Sequence, residues 1–266
     1  MFKRYILASN LERVSKRFSM VRFPDSQCYK PSFNIFLGSD SCVITNKNAK
    51  EIQAFRFGIT GLGKNFPDET YFVRSEGNRN KHDDPAYTGS KAIFLQPELR
   101  AIIRTQRCLV LADAYVVEVE KQNPHLIYLR NKKRPFAFAG IWSEDKEGIE
   151  SFAIITTPSN ELLYKLGLKR MPVILPIQYD SRWIRQSTEL AEVLGMLNPY
   201  PTVLMNAYPI ANNDDSSRND ISLVQPVGKP VIQEPTTVYA PHRKKKPEKD
   251  YTNVPTLGER VGYREK

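Results

Sequence analysis

The sequence predicts an α+β fold, and three observations support this prediction. Residues 151–175 form a unit of two apolar strands joined by a short helix. Residues 108–119 form a nearly continuous apolar run, which is typical of a central strand or a pair of strands. Residues 187–197 place leucine and valine at helical spacing, which predicts a helix that faces the core.

The unit at residues 151–175 organises the prediction for the rest of the chain. Its two strands are expected at 152–156 and 171–177. Thr157 followed by Pro158 suits the start of the intervening helix, and Gly167 suits its end. Loops held by such a scaffold are common places for functional sites, so we expect one where the second strand emerges.

The other predicted elements lie on both sides of a long surface region at residues 60–90, which itself contains one short strand. Ser9 and Glu12 form a capping box ahead of an amphipathic helix, and Pro97 opens a second helix. The remaining strands are predicted at 2–6, 42–45, 51–59, 71–73, 126–129 and 136–142.

The composition changes after Gly228. Residues 1–228 have the pattern of one domain, whereas residues 229–266 contain several prolines and a basic run at 243–246. Low apolar content cannot offset the entropy cost of ordering a segment. We therefore expect a flexible, basic C-terminal tail.

The net charge of +10 favours a polyanionic partner such as nucleic acid, although many basic proteins bind nothing acidic. The three cysteines, Cys28, Cys42 and Cys108, form no CxxC motif. Neither a disulfide framework nor a zinc site is expected, and no motif indicates a cofactor. The chain offers no signal peptide and no membrane-length apolar run, so a cytoplasmic protein is the expectation.

Several short segments resemble motifs of the SOS-response-associated peptidase (SRAP) family, and they occur in the family's order. The opening MFKRY is similar to the family's Met-Cys-Gly-Arg-aromatic start, FVRSE to Asn-Ala-Arg-x-Glu, and LKRMP to His-x-Arg-x-Pro. Further matches lie at 31–35, 57–58, 107–113, 135–142 and 223–228. The resemblance covers residues 1–228 and implies curved mixed and antiparallel sheets approaching a barrel, with peripheral helices.

The resemblance also implies a role in abasic-site processing during the DNA-damage (SOS) response, with single-stranded DNA as the partner. Family members use an N-terminal cysteine to attack the ring-opened sugar, while Asn, Glu and His orient the sugar and move protons. Those four positions are here Phe2, Phe72, Val117 and Leu168. Apolar side chains neither donate nor accept protons, so the sequence predicts a catalytically degenerate member, a pseudoenzyme.

Three arginines match family arginines that lie near the DNA backbone: Arg4, Arg74 and Arg170. Arginine suits bidentate contacts with phosphate, which favours DNA binding. The alternative is that these arginines form internal ion pairs with Glu76, Asp113 or Glu118.

Three hypotheses follow for the function. The first is a binding-only relative that holds DNA through the three arginines. The second is an active DNA–protein crosslinking or peptidase-type enzyme, in which a strand bulge brings Glu118 into the site and Lys3 forms an imine with the sugar aldehyde. The third is a structural or partner-binding protein whose former site is filled by the four apolar side chains.

Overall fold

The computed structural model describes residues 2–19, 29–120, 123–130, 134–213, 215 and 217–233. These residues belong to one compact unit that extends to Gln233. The unit continues past the predicted domain end at 228, because the N–H of Val231 donates to the Ala207 carbonyl at 2.8 Å. Most of the predicted tail, 234–266, lies outside the described residues.

The described residues form fifteen strands and five α-helices. The strands are β1 (Arg4–Leu7), β2 (Ser32–Phe36), β3 (Asp40–Thr45), β4 (Gln53–Phe57), β5 (Ile59–Thr60), β6 (Glu69–Thr70), β7 (Phe72–Arg74), β8 (Arg107–Ala112), β9 (Ala114–Val117), β10 (His125–Leu129), β11 (Phe136–Glu144), β12 (Glu150–Pro158), β13 (Arg170–Pro172), β14 (Ile174–Leu175) and β15 (Met205–Pro209). The helices are α1 (Leu11–Arg17), α2 (Pro97–Thr105), α3 (Glu161–Lys165), α4 (Asp180–Ile184) and α5 (Leu190–Gly195).

Five strands form a closed, barrel-like sheet in the order β12-β4-β3-β8-β11, and β11 pairs again with β12. The β12–β4 pair is parallel, and the other neighbours in the ring are antiparallel. Gly140 of β11 lets this strand approach β8 closely, because a Cβ there would lie 2.7 Å from the Cys108 sulfur. The predicted α+β class, with curved sheets approaching a barrel, is confirmed.

A second, antiparallel sheet has the order β15-β10-β9-β1-β2. Alternate residues of its strands point to opposite faces. Tyr5 and Tyr115, which are directly paired, belong to the main core, whereas Ile6 and Val116 pack in a smaller second core. This alternation separates the residues that can reach the barrel from those that cannot.

The structure corrects two predicted helix starts. The cap of α1 is Asn10 and not Ser9, because the Ser9 hydroxyl and N–H both donate to the Asp113 carboxylate. The cap of α3 is Asn160 and not Thr157, because Thr157 still belongs to β12 and pairs with Met171.

The strand predicted at 171–177 is in fact two short strands, β13 and β14. The N–H of Val173 donates to the carbonyl of Ile155 in β12, at 2.9 Å, while its carbonyl accepts the N–H of Ala139 in β11, at 2.9 Å. The chain changes its pairing partner at Val173, from β12 to β11. Across the described ranges, no helix is both long and apolar enough to cross a membrane.

Candidate functional site

A pocket of about 300 Å³ opens where β7 and β13 flank β12. Strand β7 pairs with β12 in parallel, which aligns Arg74 with Thr156, and β13 pairs with the end of β12, which aligns Arg170 with Pro158. The pocket is lined by Phe72, Arg74, Asp83, Thr156, Leu168, Lys169 and Arg170. The structure therefore brings together four residues that the sequence singled out: Phe72, Arg74, Leu168 and Arg170.

Aromatic rings pack behind the apolar part of this pocket. The Phe72 ring meets the Phe2 ring edge-on, with 4.9 Å between centroids, and Phe2 stacks on Phe138 at 5.8 Å. Phe2 is only 2% exposed and also contacts Tyr115. Such contacts between rings add to the stabilisation that burial provides.

The four family positions thus divide into two pairs. Phe2 and Val117 are buried members of the main core, each 2% exposed. Phe72 and Leu168 are only partly buried and line the pocket. Two of the four positions therefore belong to the core, and the other two line an open pocket.

The guanidinium group of Arg170 is almost fully engaged within the protein. It forms a bidentate ion pair with the carboxylate of Glu76, whose side chain is fully buried. It also donates to the side-chain and main-chain oxygens of Thr156, at 3.0 and 3.1 Å, and to Asp83 Oδ1 at 2.9 Å. Arg170 thus forms the internal ion pair with Glu76 that was predicted as the alternative to a DNA contact.

Arg74 is more accessible than Arg170, with 39% of its side chain exposed. It donates to the Asn80 carbonyl at 2.9 Å and to Asp83 Oδ2 at 3.1 Å. The Asp83 carboxylate therefore bridges the two arginines of the pocket.

Arg4 lies elsewhere. Its guanidinium group donates to the carbonyls of Phe33, at 3.1 Å, and Leu223, at 3.2 Å, and the residue is only 8% exposed. Burial lowers the pKa of Arg4, and the nearby Glu118 charge opposes that shift. Arg4 does not line the pocket, and its contacts favour a structural role over the DNA contact that the sequence suggested.

Glu118 is not brought into the site by a bulge. The register of β9 with β10 is continuous up to Val117, whose side chain enters the main core. Glu118 follows on the other face, with half of its side chain exposed, and its carboxylate lies 3.9 Å from the Lys3 ammonium. That separation is an exposed ion pair and lies beyond hydrogen-bonding distance. Asp113, the third candidate partner, instead accepts the N–H groups of Ala8 and Ser9.

Sequence reasoning missed Asp83, the residue that joins the two arginines. Asp83 has a positive φ of 54°, which is uncommon outside glycine, although aspartate tolerates it better than most residues. The Asn80 side chain accepts a hydrogen bond from the N–H of Asp84, the residue after Asp83, and donates one to the Asp84 carbonyl. These two bonds fix the turn. The only signal in the sequence is the cluster of Asn and Asp residues at 78–84, which is typical of turns.

Cys42 and Cys108 are buried, and burial raises the pKa of the Cys108 thiol well above its usual value. A neutral buried thiol is a poor nucleophile. Cys28 lies outside the described residues. Within the part of the chain that the structure describes, no three His, Cys, Asp or Glu side chains lie close enough to hold a metal ion.

The family model for the SOS response associated peptidase (SRAP) matches residues 1–214. The chain belongs to the SRAP family. Two relatives of this SRAP protein are both named abasic site processing protein YoqW, one from Bacillus subtilis (strain 168) and one from Bacillus phage SPbeta. Each is 24% identical over 227 residues, which cover 82% of this chain and 95% of the relative.

Solved structures share the fold of this SRAP protein. A protein from Bacteroides thetaiotaomicron is 24% identical, with a TM-score of 0.66 over 84% of this chain and 98% of its own. A phage-related protein from Bordetella bronchiseptica is 20% identical, with a TM-score of 0.57 over 81% of this chain and 97% of its own. At these identities the likeness establishes the architecture.

Proposed function

We propose that this SRAP-family protein binds single-stranded DNA at abasic sites and does not form a covalent bond with it. The observation that carries the proposal is the pocket itself. It remains open at about 300 Å³ and keeps two arginines, while the family's four reactive positions are apolar. Arg74 and Arg170 would hold the DNA backbone by charge-assisted hydrogen bonds.

The absence of covalent chemistry follows from Phe2. In the family, a terminal amine and its adjacent thiol close on the sugar aldehyde, whereas Phe2 offers no thiol and is packed in the core. Phe72 and Leu168, at the family's Asn and His positions, supply no proton donor or acceptor. They present apolar surface, which suits the carbon face of a deoxyribose ring.

The two alternatives have less support. For an active enzyme, Lys3 and Glu118 would have to work together, but they form an exposed pair outside the residues that line the pocket. For a purely structural role, the site should be filled, and burial of Phe2 and Val117 fills only its inner side. An open pocket with accessible Arg74 favours binding.

Electrophoresis with labelled abasic single-stranded DNA tests the proposal. We expect a complex on a native gel that disappears on a denaturing gel, and we expect the Arg74→Gln variant to weaken it by about tenfold, or about 1.4 kcal/mol. Arg104→Gln, at an exposed position of α2, is the control with the same change of net charge.

Two outcomes would contradict the proposal. One is a complex that survives denaturation, which would require covalent chemistry. The other is equal loss of binding in the two variants, which would show that net charge alone attracts the DNA. A complex trapped only with a reducing agent would contradict the proposal in the same way as the first outcome, because an imine at a lysine such as Lys3 is also a covalent bond.

A further inference from the structure

The Asp83 carboxylate bridges the two arginines that line the pocket. Its two carboxylate oxygens contact different arginines, Oδ1 with Arg170 at 2.9 Å and Oδ2 with Arg74 at 3.1 Å. Arginine binds carboxylate and phosphate by the same planar, charge-assisted geometry. An anion that bridges two guanidinium groups is the arrangement that a DNA phosphate would adopt in this pocket.

The charges of the cluster already balance. Arg74 and Arg170 carry two positive charges, and Glu76 and Asp83 carry two negative charges. Glu76 is fully buried beneath Arg170, whereas 26% of the Asp83 side chain is exposed. Of the two carboxylates, only Asp83 lines the pocket, so only Asp83 competes directly with an incoming anion.

The loop around Asp83 is built so that this carboxylate can leave while the arginines stay in place. Arg170 keeps its contacts with Glu76 and Thr156, and Arg74 keeps its hydrogen bond to the Asn80 carbonyl at 2.9 Å. Asn80 fixes the neighbouring Asp84 through its side chain. Movement of the Asp83 side chain therefore breaks its own two contacts with the arginines and leaves these other contacts in place.

We propose that Asp83 is an internal competitor for the phosphate site, so that its carboxylate holds Arg74 and Arg170 in the unbound protein and must be displaced when nucleic acid binds. This inference rests on the proposed function, because it regulates the same pocket. It neutralises the arginine pair in the unbound protein and reserves the arginines for ligands whose phosphate can replace the carboxylate. A ligand without an anionic group gains nothing from the pair.

The test uses the full chain and inorganic pyrophosphate, titrated by calorimetry at fixed ionic strength. We expect Asp83→Asn to bind pyrophosphate about tenfold more tightly than the wild type. Asp84→Asn is the matched control, because it removes the same charge one residue away. The asparagine keeps a side-chain oxygen that can accept the Ala86 N–H, as Asp84 Oδ1 does in the wild type. Asp83→Gly is a second variant, since both Asn and Gly adopt a positive φ readily.

Equal affinities of the Asp83 and Asp84 variants would overturn the inference, because only the general charge would then matter. The gain from Asp83→Asn is also measured in a protein that already carries Arg74→Gln. A gain that stays undiminished there would overturn the inference as well, since part of it must act through Arg74. The binding of abasic DNA by the same variants is measured separately. If no DNA complex forms, the proposed function is wrong. The comparison of pyrophosphate affinities would still decide the role of Asp83.

Discussion

Phe2 and Phe72 meet edge to face, with their ring centroids 4.9 Å apart and their planes inclined by 74°. The motif resemblance predicts that these are the positions of the SRAP family's cysteine and asparagine, and the structure shows an aromatic pair there. Phe72 is also in contact with Phe57, at 5.8 Å. The pair connects the pocket wall to the main core.

Restoring the family's polar residues at the pocket is expected to destabilise the protein. Phe72→Asn with Leu168→His removes the ring contacts of Phe72 and places an amide against Phe2. We expect a loss of about 1–3 kcal/mol in the free energy of unfolding, less than for a fully buried Phe because both side chains are partly exposed. Urea denaturation measures this loss, and Phe72→Leu is the control that keeps apolar volume.

The same double variant should form no covalent adduct with abasic DNA, because Phe2 still provides no thiol and remains packed in the core. Full stability together with adduct formation would show that the site never depended on these apolar contacts, and the pseudoenzyme interpretation would be wrong.

Phe2 is expected to contribute strongly to stability although it lies next to the chain start. Phe2→Ala would remove a ring that packs against Phe72, Tyr115 and Phe138 in a nearly solvent-free place. We expect a loss of about 3 kcal/mol, whereas Phe36→Ala, at a position that is 38% exposed, should cost under about 1 kcal/mol. Equal losses would show that Phe2 is not part of the core.

Mass spectrometry of the wild-type protein should find Met1 still attached, because a bulky second residue disfavours removal of the initiator methionine. Loss of Met1 would free the amine of Phe2 and reopen the question of covalent chemistry.

Family motifs that are far apart in sequence meet on neighbouring strands. Phe72, Arg74, Leu168 and Arg170 were all identified from these motifs and lie together. The motifs did not identify Asp83, because it lies in an irregular turn without hydrophobic periodicity. Its contact with Arg170 joins residues that are 87 positions apart in sequence. Asp83 has a positive φ in that turn, which local sequence alone did not specify.

Element types were more predictable than their ends. The apolar run at 108–119 is the pair β8 and β9, as the pattern allowed. The break at Val173 was missed because both halves are apolar, and only tertiary pairing with two different strands separates them. The contacts of Arg4 were not predictable for a similar reason, since its two carbonyl acceptors, Phe33 and Leu223, come from distant parts of the chain.

Asp180 should make stability depend on pH in the direction opposite to most carboxylates. Burial raises the pKa of Asp180 from 3.8 to about 6, and the attraction of Arg17, whose Nη2 lies 2.7 Å from the carboxylate, only partly opposes the shift. Between about pH 4 and 6, the folded protein holds a proton that the unfolded chain has lost. The free energy of unfolding from this group therefore falls as pH rises through that window.

The comparison of the wild type with Asp180→Asn isolates this effect. Relative to the variant, wild-type stability should fall by about 2–3 kcal/mol from pH 4 to pH 6 and then remain level. Urea titrations at several pH values measure the difference. A wild-type stability that rises relative to the variant over this range would mean that attraction to Arg17 outweighs burial.

Two truncations should separate the compact unit from the segment that follows it. A chain ending at Gln233 keeps the hydrogen bonds of Val231 and Ile232 to β15, so we expect its thermal midpoint to be nearly unchanged. Its binding of DNA at low salt should weaken, because it lacks the basic run at 243–246. A chain ending at residue 228 also removes two partners of Asn206, a fully buried amide that accepts the Ile232 N–H and donates to the Ile232 carbonyl. Loss of such partners should cost about 2 kcal/mol. Equal midpoints for the two truncations would show that residues 229–233 belong to the tail, whereas a large fall on ending at Gln233 would show that residues beyond it stabilise the domain.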